Sequence, residues 1–191
     1  MNSLTVRFEF LSPWHMGSGF GEGAHFDAVP VKSPAGLPYI PGRSVKGLLR
    51  EAVQLAEDFS HVAEGTTEKL FGSRDKKKSR YESVSGTLCF SNASLGEAME
   101  KWAGENPLVA AQLFMALAAT KIDADGLAQD QSLRKIEVAL PVTLTATVEA
   151  ATTSRDWVAA LNVALPLLRQ AGSHRHRGLG RVAVSIEEVE S

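Results

Sequence analysis

The chain has 191 residues, 44% of them hydrophobic and 22% charged, enough apolar material to bury the core of one globular domain. A formal net charge of -2 excludes a global positive field, so any surface for a polyanion has to be local. The single cysteine, Cys89, excludes an internal disulfide and a cysteine-type zinc site. With no charged leader before an apolar core and no apolar run of about 20 residues, the sequence predicts neither signal peptide nor membrane span, and the cytoplasm is the default expectation.

Leu4, Val6, Phe8 and Phe10 alternate with polar residues and predict a half-buried strand at the start. Residues 12–42 hold too much glycine and proline for regular helix, with Gly17, Gly19, Gly21 and Gly23 at every second position. A loop of that length is usually functional or disordered. Ser44 reads as the N-cap of a helix running to about Asp58, with Val45, Leu48, Leu49, Ala52 and Ala56 as its apolar stripe. A short helix follows over His61–Leu70, then a basic loop around Arg74–Arg80 and a strand over Gly86–Leu95. Pro107–Thr120, rich in alanine and leucine, reads as a helix. Val138 to Val148 carries the clearest strand alternation, with Thr143, Thr145 and Thr147 on the second face. Ser154–Gln170 reads as an amphipathic helix, Gly172–Gly180 as a basic glycine loop, and Arg181–Val189 as a closing strand. The order predicts an α+β fold, a ferredoxin-like arrangement with helices on one face of an antiparallel sheet.

Phosphate motifs of known type fail. Gly19–Ala24 matches G-x-G-x-x-A in form, but no helix follows to receive a pyrophosphate, and there is no P-loop. His174 and His176 lack a third ligand and have Arg175 and Arg177 beside them, which favours two histidines in a basic loop over a metal site. The helix entry "LPYIPGRSVKGLLR" is more informative. Lys46 and Arg50 share one helix face, Arg43 reaches the same side, and the free N–H groups of the helix start add positive potential. Gly47 admits close approach of another backbone. The residues fit either a phosphate site or a solvated basic face. A second cluster, Gly172–Arg181, sets three arginines and two histidines among glycines, and two such clusters in a net acidic chain favour a polyanion groove.

"YIPGRSVKGLLR", "KLFG" at 69–72, "GTLCFSNASL" at 86–95 and the terminal "GSHRHRGLGRVAV" resemble the RAMP superfamily of CRISPR-associated proteins, and within it the backbone subunit of type III effector complexes. The resemblance spans almost the whole chain. It implies a modified RNA-recognition ferredoxin-like fold forming one domain over 1–191, with insertions at about 12–42, 73–85 and a thumb-like hairpin at 120–136. It implies a subunit that polymerises along a guide RNA (crRNA), held by its phosphates, while the guide pairs with a single-stranded target RNA. The RNA-contacting set it implies is Arg43, Ser44, Lys46, Gly47, Arg50, Lys121, His174, Arg175, His176, Arg177 and Arg181. Implied partners are further RAMP subunits, copies of the chain itself in a filament, and a large polymerase-domain subunit, with no membrane.

The resemblance also implies metal-dependent cleavage of the target by a loop aspartate, and Asp27 stands at the matching place, about a dozen residues before Tyr39. A carboxylate can hold Mg²⁺ or another divalent cation beside a scissile phosphate, with RNA oxygens and water completing the shell. Two other readings belong to the same superfamily: a non-catalytic scaffold or capping subunit, and a guide-processing endoribonuclease using His15 or His25 as acid or base. A generic α+β enzyme outside the superfamily is a further alternative.

Overall fold

A computed structural model describes residues 2–23, 25–73, 84–129, 131–152 and 154–187. The chain begins with strand β1 (Asn2–Phe10), whose Leu4, Val6, Phe8 and Phe10 point inward, as their alternation predicts. Helix α1 (Gly42–Asp58) follows the glycine and proline segment and buries Val45, Leu48, Leu49, Ala52, Val53 and Ala56. Helix α2 (Thr66–Phe71), strand β2 (Leu88–Phe90), helix α3 (Glu97–Glu105) and the short α4 (Pro107–Ala110) come next. Strands β3 (Phe114–Ala119) and β4 (Arg134–Ala139) form a hairpin, and β5 (Thr143–Ala150), α5 (Asp156–Ala164) and β6 (Val182–Glu187) close the fold.

Four strands make one sheet in the order β2-β5-β1-β6, every neighbouring pair antiparallel. With α1 joining β1 to β2 and α5 joining β5 to β6, this is the split βαβ arrangement of a ferredoxin-like domain, with the β3–β4 hairpin inserted between its halves. Both helices lie on one face. Val6 and Phe8 of β1 and Leu144 and Val148 of β5 meet Leu49 and Val53 of α1 and Leu161 of α5 in a single core. The opposite face carries Thr5, Arg7 and Glu9 of β1 beside Thr143, Thr145 and Thr147 of β5, in direct register. Among the described residues of these strands, no aromatic side chain stands on that face.

Several elements differ from the sequence reading. Phe114–Ala119 is strand and not helix: six cross-strand pairs with Arg134–Ala139 outweigh helix-propensity differences of a few tenths of a kcal/mol per residue. The single strand read over 138–148 is split into β4 and β5 at Pro141, which has no N–H for a ladder. Pro166 ends α5 early by the same lack, and Leu165–Leu167 tightens into a 3₁₀ turn. The predicted basic loop at 73–85 falls almost wholly outside the described residues, although its ends meet where Ser73 N–H donates to the Val84 carbonyl at 2.9 Å.

The glycine and proline segment is folded against the hairpin. Trp14 is fully buried, stacks on Phe10 at 4.2 Å between centroids, and donates its Nε1–H to the Leu140 carbonyl at 3.0 Å. Trp14 pairs with Ala139, and Ala28 runs parallel to Ile136, so the segment borders β4 like an extra strand. Lys32 locks this lobe, its Nζ 2.7 Å from Glu137 Oε2 and 4.3 Å from the centre of the Phe114 ring. No described helix is long and apolar enough to cross a membrane.

Candidate nucleic-acid interface

The start of α1 is fixed by the chain on both sides of it. Ile40 pairs with Ala93 through two main-chain bonds of 2.9 Å, which seats the Tyr39–Pro41 turn on the segment after β2. Pro41, and not Ser44, is the N-cap residue; Ser44 N–H instead donates to the Pro41 carbonyl at 2.7 Å. The cap is supplied from outside the helix, because Asn92 Oδ1 accepts the Gly42 N–H at 2.8 Å. Glycine is required there: a Cβ on residue 42 would sit 2.7 Å from the Phe90 carbonyl oxygen.

Past that start, the exposed face of α1 forms an open groove of about 740 Å³ lined by Arg43, Lys46, Gly47, Arg50, Glu51 and residues further along the same face. These positions recur at the three- and four-residue spacing of a helix, offset from the buried stripe. A Cβ at Gly47 would meet nothing within 4 Å, so the helix backbone is open to approach at that point. Asp58 stands at the far end of the groove and accepts a hydrogen bond from Gln54 at 2.9 Å. Glu57, one residue earlier, caps α2 by accepting the N–H groups of Gly65 and Thr67, each at 2.8 Å. Burial pushes the Glu57 carboxyl up, but its hydrogen bonds to Thr67 and Gly65 outweigh this and hold it below the ordinary range.

The basic glycine loop is anchored by His15. Ser173 N–H donates to the His15 carbonyl at 2.8 Å, and Gly172, at φ 95°, passes so close that a Cβ would lie 2.6 Å from that oxygen. His15 is itself 3% exposed, with Nδ1 2.8 Å from the Glu137 carbonyl, which can only accept. Burial lowers its pKa, the Glu137 carbonyl opposes this, and His174 nearby adds to the lowering. His15 is therefore a neutral strut between loop, hairpin and first lobe. His25 is exposed at the distal end of that lobe.

After Gly172, the loop divides its charges between two places. His174, left-handed at φ 58°, opens a 3₁₀ turn over Arg175–Arg177. Arg175 turns toward α1, its Nη1 3.4 Å from Glu51 Oε1. His174 and Arg177 turn the other way and line a hollow of about 260 Å³ together with Asp27 and Arg134, above a floor that includes Leu117 and Ile136. His176 and Arg181 are exposed and line neither place. Lys121 is exposed in the connection of the hairpin and lines neither place; beyond it Asp123 Oδ1 shapes the turn by accepting the N–H groups of Asp125 and Leu127.

Asp27 is held to β4 by two main-chain contacts: its N–H donates to the Lys135 carbonyl at 2.8 Å, and its Oδ2 accepts the Lys135 N–H at 2.7 Å. Oδ1 is left without a protein partner among the described residues. No cluster of three or more His, Cys, Asp or Glu among those residues could hold a metal ion by itself. One free carboxylate oxygen suits a hard divalent cation of the Mg²⁺ type, which takes one or two carboxylates and fills its shell with water and substrate phosphate. Neither Arg134 nor Glu51 is singled out for the site by the sequence alone. Arg134 is the first residue of β4 after the hairpin turn, and Glu51 follows Gly47 by four residues on the groove face.

The antiparallel sheet backed by two helices is a ferredoxin-like α+β fold, with cations on the first helix and on the loop before the last strand. The chain belongs to the RAMP superfamily, whose model matches residues 7–182. The fold is similar to that of a chain in the structure of type III-B Cmr-beta bound to cognate target RNA, with a TM-score of 0.71 at 12% identity over 97% of each chain. It is also similar to a chain of type III-B Cmr-beta in the apo state, with a TM-score of 0.69 at 11% identity over 97% of each chain. A search of curated proteins returned no match.

Proposed function

We propose that the chain is a backbone subunit of a type III CRISPR effector complex, holding guide RNA by its phosphates and cutting a paired target RNA. The observation that carries this reading is the α1 groove, in which Arg43, Lys46 and Arg50 line one open surface with the uncovered backbone of Gly47 between them. Three cations on one track neutralise successive phosphates and read no base, as a guide of any sequence demands. Membership of the RAMP superfamily and the likeness to type III-B Cmr-beta chains support the assignment. The partners that follow are guide RNA, target RNA, other RAMP subunits including copies of this chain, and a polymerase-domain subunit. In the assembled particle the exposed hairpin, with Ile122, Leu127 and Leu133 at its solvent-facing tip, would reach toward the RNA.

The cutting function falls to the hollow around Asp27. There Asp27 would hold a divalent cation, which when bound polarises a phosphate oxygen and acidifies a coordinated water. Arg134 and Arg177, at the edge of the same hollow, would hold the flanking phosphates and keep the strand in register. A non-catalytic scaffold is the second reading, favoured by the lack of a metal-ligand cluster among the described residues. Assembly of the complex with guide RNA, followed by incubation with matched target and Mg²⁺, tests both. Cutting that disappears in D27A supports catalysis here, and cutting by D27A at the wild-type rate assigns this chain to the scaffold. A lone chain that processed repeat RNA without metal would instead favour the guide-processing reading.

A further inference from the structure

The α1 groove does not end at Arg50. A smaller hollow on its flank is lined by Glu51, Leu55, Leu167, Arg169, Gln170 and Arg175. The two adjoin along Glu51 and Leu55. Arg43, Lys46 and Arg50 line the groove, Arg175 and Arg169 the hollow, and the carboxylate of Glu51 stands at the junction.

Glu51 is occupied at that junction by Arg175, Oε1 to Nη1 at 3.4 Å, with the two side chains 61% and 39% exposed. The backbone beneath Arg175 is fixed: Gln170 Nε2 donates to its carbonyl at 3.2 Å, and Arg177 N–H donates to the His174 carbonyl at 2.8 Å. Only the guanidinium is free to change partner. A single long contact between exposed groups contributes little in water. A phosphate offers the same guanidinium two parallel charge-assisted bonds, which are shorter and stronger.

We infer that Glu51 is a built-in stand-in for phosphate: it holds Arg175 until a ribose-phosphate backbone laid along α1 displaces it. This rests on the reading of the α1 groove as the guide-RNA surface and adds to it a specificity-determining residue. A strand that fills groove and hollow from Arg43 to Arg169 recovers the displaced pair as a phosphate contact. A weak or partial polyanion does not, so Glu51 discriminates against incidental binding.

The test uses the full chain, a fluorescently labelled single-stranded uridine oligonucleotide, and titrations at several salt concentrations. E51Q should bind about two- to fivefold more tightly, the range set by the loss of one exposed ion pair. Its salt slope should match that of the parent, because Arg175 reaches phosphate in both bound states. In an R175Q background the same E51Q substitution should change neither affinity nor slope. The inference is overturned if E51Q leaves binding unaltered, or if it tightens binding equally with and without Arg175, since that is charge repulsion and not a held partner. The triple variant R43Q/K46Q/R50Q separates the two levels. If it binds the oligonucleotide like the parent, the groove reading fails and the inference falls with it; if it binds weakly while E51Q is silent, only the inference fails.

Discussion

The α1 groove and the Asp27 hollow are built in opposite ways. The groove comes from one helix, its residues placed by helical spacing alone and its origin set by the Tyr39–Gly42 turn. The hollow is assembled from the first lobe, the hairpin and the loop before β6, which supply Asp27, Arg134, and His174 with Arg177. A surface written on one element tolerates movement of the rest of the fold. A hollow shared among three long-range segments depends on every contact that docks them, such as the bond from Lys135 N–H to Asp27 Oδ2 at 2.7 Å.

The largest expected effect separates the two regions by chemistry. D27A should lower target cleavage by the guide-loaded complex by about 10²-fold or more, the usual consequence of losing a principal electrostatic stabiliser, while guide affinity stays unchanged. Loss of guide binding in D27A would show that the two regions are not separate. Next in size, replacing Arg43, Lys46 and Arg50 with glutamine should weaken guide RNA about 10- to 100-fold and flatten the salt slope by about two units, three phosphate contacts at about 0.7 each. Fluorescence titration across salt concentrations measures both.

Two glycines on α1 sharpen the comparison further. Gly42→Ala drives a Cβ to 2.7 Å from the Phe90 carbonyl oxygen, so it should destabilise the fold by about 1–3 kcal/mol and shift the helix start. Gly47→Ala meets only open space and replaces a mid-helix glycine, so it should stabilise by about 0.5–1 kcal/mol while weakening RNA binding. Thermal melts set against binding curves would reveal the opposite signs. Equal effects at the two positions would remove the distinction between a packed and an open face.

The smallest effect is one of pH. The pKa of His15 is lowered in the fold, so between its folded value and about 6.5 the unfolded chain binds the extra proton and stability rises with pH. Its contribution is complete above about pH 6.5 and is lost as pH falls from there toward the folded value. Glu57, also lowered, contributes fully above the ordinary carboxylate range and loses its contribution as pH falls through its folded pKa, at more acidic values. Melting temperatures of the parent and of H15Q between pH 7.5 and 5 check this: the acid-side slope of the parent should be shallower in the variant.

Local chemistry made much of this chain legible. Strand β1 and helix α1 follow from their apolar periods, the Gly42 turn from its prolines, and the two basic clusters from their composition. The breaks at Pro141 and Pro166 were local and legible, but three other departures have a distant cause. Phe114–Ala119 has helix-forming residues, yet its partner in β4 makes it a strand, and no local window contains that partner. Ser44 has the chemistry of an N-cap, but Asn92, fifty residues on, supplies the capping oxygen. His15 could have been an acid or base in a loop until burial and the Glu137 carbonyl made it a neutral strut.

The amino-acid sequence by itself determined which faces are apolar, where α1 carries its cations, and that the chain mixes strands with helices, because these depend on neighbours within a turn or two. Only the tertiary structure decided that Asp27 joins Arg134, His174 and Arg177, and that Arg175 leaves its own cluster to meet Glu51. Those pairings join residues more than a hundred positions apart, and their free energy comes from the packing of lobe, hairpin and loop around Trp14 and His15, which no local period encodes.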